Sequence, residues 1–183
     1  MRIGVLGSTR GTALQGVIDE INSGCLKDCA KIELVISNKK EGGILARASK
    51  HSIPAKYMPF KKGSDKALYD AEITSAFNSV GCDLILCVGW MRILTPGFTN
   101  FWAGRVMNVH PSLLPLHAGG MDLEVHAAVL AAGEKTSGCT IHQVTDVVDG
   151  GPIVLQKKVD VVAGETAGER AFERKCNRRV RGD

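Results

Sequence analysis

Four short apolar runs constrain the fold most: "RIGVLG" at 2–7, "KIELVIS" at 31–37, "CDLILCVG" at 82–89 and "RVMNVH" at 105–110. Each is too short for a typical buried helix and suits a strand, the third one a strand buried on both faces. Between them the spacing changes. Leu14, Val17, Ile18 and Ile21 recur at helical intervals, "GGILARASKHS" reads as a second helix, and residues 64–80 read as a third. Ser64 is expected to cap that third helix, with Asp65 in its first turn. "PAKYMPF" predicts a short strand, residues from about Leu123 to Ala132 a helix, and "CTIHQVT" and "PIVLQKKVDV" two further strands. Strands alternating with helices predict an α/β fold with a doubly wound, mostly parallel sheet flanked by helices. No repeat, low-complexity segment or linker divides the chain, so residues 1–183 are expected to form a single domain.

Composition narrows the function classes. Of 183 residues, 44% are hydrophobic and 23% charged, the profile of a globular protein. No apolar run approaches the ~20 residues of a membrane span, and the N-terminus reads as a first strand rather than a secretory signal. The six cysteines, Cys25, Cys29, Cys82, Cys87, Cys139 and Cys176, are irregularly spaced without a C-x-x-C pair. They are read as reduced thiols of a cytoplasmic protein. The net charge of +4 resides in residues 170–183, which hold six Lys/Arg against two Asp/Glu. A neutral body with a basic tail and 5% aromatic residues argues against a nucleic-acid partner.

The run "RVMNVHPSLLPL" at 105–116 places Asn108 and His110 two apart on a strand that Pro111 terminates. Side chains at i and i+2 share a face, so an amide and an imidazole are presented together, with Met107 and Val109 turned the other way. The C-terminal end of a strand is where open α/β sheets bind ligands. "TDVVDGGPIVLQ" at 145–156 puts Asp149 in a turn before another strand. A carboxylate there is a candidate to pair with His110, raising its pKa and fixing its tautomer. Its alternative is a plain Asp-Gly turn.

The loop "GSTRGT" at 7–12 joins the first strand to the first helix and offers backbone N–H groups to an anion, or is simply a turn. It is neither a P-loop nor a complete dinucleotide fingerprint. "GWMRILTPGF" at 89–98 is either a ligand wall or a loop with hydrophobic anchors. His110, His117, His126 and His142 fall within one third of the chain, without the spacing of a zinc site. His51 is read as a solvated helix residue. There is no G-x-S-x-G nucleophile motif.

Taken together, "MRIL" (91–94), "NVHPSLLP" (108–115), His126, "TIH" (140–142) and "DGGPI" (149–153) closely resemble the folate-dependent formyltransferases, and within them the glycinamide ribonucleotide enzymes of purine biosynthesis. The resemblance runs from residue 1 to about 164. It implies a Rossmann-like fold and transfer of a formyl group from 10-formyltetrahydrofolate, a co-substrate, to the amine of glycinamide ribonucleotide. No tightly bound cofactor and no metal are implied. Asn108 and His110 would donate to the tetrahedral oxyanion, and Asp149 would keep His110 protonated and help remove the amine proton. Gly11, Thr12 and Ala13 would contact the substrate phosphate. Lys66, Met91, Arg92, Ile93, Leu94 and Asn108 would contact the folate. "HAGGMD" at 117–122 reads as a loop over the substrate. Partners are limited to these small molecules, in a monomer or homodimer with no membrane or nucleic acid bound.

Two other functions use the same residues: a 10-formyltetrahydrofolate hydrolase, with water as nucleophile, and a folate-binding protein of low activity. The second is raised by residues 170–183, where relatives continue into a helix near the substrate phosphate. Here only Phe172, Cys176 and Val180 form an apolar line. Charge without apolar surface does not offset the entropy of ordering, so the last ten or so residues are expected to be mobile, with Arg178, Arg179 and Arg181 in solvent.

Overall fold

A computed structural model describes residues 1–121, 123–162, 164, 166 and 167. The expectations for residues 170–183 lie outside the described residues. In chain order the elements are β1 (Arg2–Leu6), α1 (Thr12–Ser23), β2 (Lys31–Ser37), α2 (Gly43–Lys50), β3 (Ala55–Tyr57), α3 (Lys66–Ser79), β4 (Leu84–Cys87), α4 (Pro96–Phe101), β5 (Val106–His110), α5 (Leu123–Ala131), β6 (Thr136–Gln143) and β7 (Ile153–Asp160). The strands follow the order β3-β2-β1-β4-β5-β6-β7 in a seven-stranded sheet. The pairs β1–β2, β1–β4 and β2–β3 are parallel, and β6–β7 is antiparallel. This is the predominantly parallel, helix-flanked α/β sheet expected from the alternation of runs.

The chain packs as two compact units, Met1–Met107 and Asn108 onward. In the first, Ile3, Val5, Ile32 and Val35 from β1 and β2 meet Leu14 and Ile18 of α1 and Ile44 and Ala48 of α2, all buried. Leu14 and Ile18 stand four apart, as do Ile44 and Ala48, which puts each pair on one helix face. Full burial of each large aliphatic side chain contributes roughly 1.5–3 kcal/mol. On α3, Tyr69, Ile73 and Phe77 repeat the same four-residue step, and Phe77 meets Trp102 edge-on at 6.5 Å.

Several local expectations are corrected. Helix α3 is capped by Asp65, whose carboxylate accepts from the N–H groups of Ala67 and Leu68; Ser64 lies outside it. Both are good capping residues, and the carboxylate also favours the positive end of the helix dipole. The stretch 89–98, read as a loop, contains the start of α4, with Pro96 in its first turn, where the missing N–H costs nothing. β3 is confined to three residues, and β6 begins at Thr136, ahead of the expected Cys139. His51 is the C-cap of α2 and its Nε2 lies 3.2 Å from Gln15 Oε1, so it is part of an inter-helix contact.

In the second unit β6 alternates: Thr140 and His142 are buried, Ile141 and Gln143 half-buried. Its ladder with β7 shifts register between Ile141 and His142. A bulge of this kind re-aims side chains locally, and here it falls at His142.

Candidate active site

β5 sets the first two residues. Its alternation leaves Val109 37% exposed and buries His110 to 3%. Beyond the strand, Ser112–Leu114 is pinned by Thr140, whose hydroxyl donates to Ser112 O (2.7 Å) and accepts from Leu114 N (3.0 Å). Gln156 Nε2 donates both to that hydroxyl (3.0 Å) and to Leu114 O (2.8 Å). The segment leaving His110 is thereby fixed to two strands, by the buried Thr140 hydroxyl and by the Gln156 amide.

The β6–β7 connection delivers Asp149. A turn closes from Gly150 N to Val147 O (3.1 Å), and Asp149 takes a left-handed φ of 52°, a region that Asp tolerates better than most residues. Gly151 is required by close approach, since a Cβ there would run into the Gln143 carbonyl. The result is a carboxylate shared among three groups. Oδ2 lies 3.3 Å from His110 Nδ1 and accepts from Gly119 N at 2.8 Å, while Oδ1 lies 3.4 Å from His142 Nε2. His142 Nε2 is also 3.2 Å from the Asn108 amide nitrogen, and its Nδ1 donates to Gln143 O at 2.9 Å. Asn108, His110, His142 and Asp149 thus form one connected set.

Burial raises the Asp149 carboxyl, but the His142 hydrogen bond, the Gly119 N–H and the charge of His110 outweigh it, leaving its pKa below the ordinary value. His110 goes the other way from expectation. Burial pushes its pKa below the usual imidazole value, and Asp149 and the His117 carbonyl, which both raise it, do not fully compensate. The pairing with Asp149 is therefore as expected. The expected excess of imidazolium is not: desolvation of the charged form is the larger effect.

Sequence reasoning placed Asn108, His110 and Asp149 in the site and left out His142. The signal was present in the clustering of four histidines within one third of the chain, but the bulge that aims His142 is not legible in composition. The other two histidines of that cluster, His117 and His126, place their rings elsewhere. His117 reaches Glu134, at 2.8 Å, and His126 is buried on α5.

The first unit carries its own group. Gly11 caps α1 with φ 66°, and a Cβ there would lie 2.6 Å from Ile44 Cγ1. No side chain caps this helix among the described residues, so the N–H groups of its first turn have no side-chain acceptor there, the arrangement that accepts an anion. The buried Thr12 hydroxyl finds no partner among the described residues, and Ala13 adds no polar group. Ser8 ties this loop to the next: its hydroxyl donates to Asn38 Oδ1 (2.7 Å) and accepts from Met91 N (3.1 Å).

Arg92 is stacked. Its guanidinium carbon lies 3.4 Å from the Phe60 ring centroid and 5.1 Å from that of Tyr69. Phe60 and Tyr69 themselves pack edge-to-face at 5.1 Å. Tyr69 donates its hydroxyl to Met58 O at 2.6 Å, and burial pushes its pKa up to about 12. The neighbouring Asp70 accepts from Thr95 N at 2.7 Å and so fixes the far end of residues 91–94. Of the remaining expected folate contacts, Ile93 is exposed, Leu94 is buried, and Lys66 opens α3 with its side chain in solvent.

The "Formyl transferase" family model matches residues 1–176. The chain belongs to this family. A phosphoribosylglycinamide formyltransferase of Haemophilus influenzae is 42% identical over 168 residues, covering 92% of this chain and 77% of that protein. The trifunctional purine biosynthetic protein adenosine-3 of Drosophila pseudoobscura pseudoobscura is 40% identical over 164 residues, 90% of this chain and 12% of its own length. The crystal structure of glycinamide ribonucleotide transformylase 1 from Symbiobacterium toebii superposes with a TM-score of 0.89 at 34% identity, covering 98% of this chain and 84% of that one. The fold read from the alternation of runs is the formyltransferase fold. No helix of the described residues is long and apolar enough to cross a membrane.

Proposed function

We propose that this formyltransferase moves the formyl group of 10-formyltetrahydrofolate onto the primary amine of glycinamide ribonucleotide, a step of purine biosynthesis. The observation that carries the reading is the 3.3 Å contact of His110 with Asp149 beside Asn108, on the end of a sheet strand. No serine or cysteine nucleophile is required, because the substrate supplies the amine. Attack forms a C–N bond at the formyl carbon and places negative charge on its oxygen. Asn108 Nδ2–H is a donor of the correct type for that oxyanion, and His110 becomes one at Nε2 once it has taken up a proton. Collapse then breaks the bond to the folate nitrogen, which takes up the proton shed by the amine, and releases tetrahydrofolate and the formylated ribonucleotide.

His110 accounts for the proton. With its pKa lowered by burial, it can receive the proton shed by the attacking amine, and Asp149 stabilises the imidazolium so formed. His142 lies between both partners, its Nε2 3.2 Å from the Asn108 amide nitrogen and 3.4 Å from Asp149 Oδ1.

Folate contacts are assigned to Lys66, Met91, Arg92, Ile93, Leu94 and Asn108, and substrate phosphate contacts to Gly11, Thr12 and Ala13. The uncapped first turn of α1 and the partnerless Thr12 hydroxyl support the phosphate role. The folate acts as a co-substrate, and the irregularly spaced thiols suit a cytoplasmic setting. Incubation with 10-formyltetrahydrofolate, with and without the ribonucleotide, tests the reading. Turnover that depends on the amine is expected. Equal turnover without it identifies a hydrolase, and tight binding with no turnover identifies a folate-binding protein.

A further inference from the structure

Both ring nitrogens of His110 face acceptors. Nδ1 is 3.3 Å from Asp149 Oδ2, and Nε2 is 3.1 Å from the backbone carbonyl of His117. A neutral imidazole has one N–H and can satisfy only one of them. Since a lone pair against a carboxylate is the worse conflict, the neutral ring carries its hydrogen on Nδ1 and turns the Nε2 lone pair toward the His117 oxygen. Only the doubly protonated ring satisfies both contacts. The His117 carbonyl is therefore an acceptor for a second ring proton, at hydrogen-bond distance from Nε2.

Within its own loop that carbonyl is held only by a long hydrogen bond from Gly120 N, at 3.4 Å. His117 has a φ of 57°, an uncommon conformation for a residue with a side chain. It is sustained from elsewhere: its Nε2 donates to Glu134 Oε1 at 2.8 Å, from the turn between α5 and β6, with both side chains partly buried. The same short segment also sends Gly119 N to Asp149 Oδ2. One loop thus contacts both members of the His110–Asp149 pair, and the His117–Glu134 contact anchors it.

We propose that His117 and Glu134 are positioning residues for His110: the seat of the His117 side chain on Glu134 holds the His117 carbonyl against His110 Nε2, so that each imidazole nitrogen has an acceptor until substrate arrives. The proposal rests on the reading of His110 as the reacting imidazole. The charged and titratable groups around His110 are Asp149 from the β6–β7 turn, His142 from β6 and His117 from its own loop, with Glu134 behind His117. Loss of the seat withdraws one of the two groups that favour the charged ring and leaves burial opposed by Asp149 alone.

The test is an NMR titration of the His110 ring carbon and nitrogens in the unliganded full chain, assigned by loss of signal in His110→Gln. Glu134→Ala removes the seat at a partly exposed turn, and His117→Gly keeps the carbonyl while freeing its φ. In both, the His110 titration midpoint is expected to move to lower pH. Glu134→Gln still offers a carbonyl to His117 Nε2–H and is expected to restore the wild-type midpoint. An unmoved midpoint in folded Glu134→Ala and His117→Gly overturns the proposal. So does a shift in Glu134→Gln as large as in Glu134→Ala, because the effect then belongs to charge and not to the seat. Full turnover by His110→Ala instead overturns the functional reading, while the titration result stands apart from it.

Discussion

Asp149 Oδ2 stands 3.3 Å from His110 Nδ1, joining the turn before β7 to the end of β5 across the segment that contains α5 and β6. The contact couples the two groups whose protonation governs the proposed chemistry. In the proposed chemistry the ionised carboxylate stabilises the charge that His110 gains on taking up the amine proton.

The first prediction concerns that pair and Asn108. Each of Asn108→Ala, His110→Ala and Asp149→Ala should depress kcat by ~10²–10⁴, the range for losing an oxyanion donor or a general acid–base group. Residues acting as a unit are non-additive, so the triple variant should be little worse than the worst single one. Steady-state kinetics with the thermal midpoint measured in parallel checks this, and near-wild-type turnover in His110→Ala rules out the assignment.

His142 should belong to the same unit. His142→Ala removes the ring whose Nε2 lies between the Asn108 amide and Asp149 Oδ1. It is expected to lower kcat with little change in either KM, and its effect should largely vanish in an Asp149→Ala background. A double-mutant cycle measures that coupling. Additive losses would place His142 outside the unit.

Stability should report the Asp149 environment. Its carboxyl pKa is lower in the folded state than in an unfolded chain, so the folded protein binds fewer protons through that interval. The contribution is fully present above the ordinary carboxylate range and is lost as pH falls through the folded value. The stability difference between the wild type and Asp149→Asn should therefore shrink as pH falls below about pH 4. Urea titrations across that range measure it, and a gap that does not shrink there contradicts the pairing.

Much of this was legible in the sequence, for identifiable reasons. The short apolar runs specify β1, β2, β4 and β5 because burial on a sheet demands them. Asn108 and His110 share a face by the period of two alone. What the sequence does not carry is the balance of burial. Asp149 raises the pKa of His110 as expected, yet desolvation lowers it further, and desolvation depends on everything packed around the ring. His142 was missed for a similar reason: its aim comes from a register shift between Ile141 and His142, and no residue in "CTIHQVT" marks a bulge. Helix α4 escaped because six residues beginning at Pro96 are shorter than a helical period can establish.

The last prediction separates binding from chemistry at Arg92. Its guanidinium carbon lies over the Phe60 ring at 3.4 Å and 5.1 Å from the Tyr69 ring centroid, and its Nε finds no hydrogen-bond partner among the described residues. Stacking leaves the edge donors of the guanidinium free for a planar acceptor while fixing their direction, which a lysine ammonium cannot reproduce. A cation–π contact is worth ~0.5–2 kcal/mol. Phe60→Leu keeps apolar volume but removes the ring face, so KM for 10-formyltetrahydrofolate should rise by ~2- to 30-fold with kcat and the ribonucleotide KM nearly unchanged. Arg92→Lys should raise the same KM by at least as much, and combining it with Phe60→Leu should add little, since the stack is already lost. Steady-state kinetics with each substrate varied in turn reads all three variants. A fall in kcat at constant KM would instead mean that Arg92 acts on the reacting groups and that Phe60 merely packs beneath it.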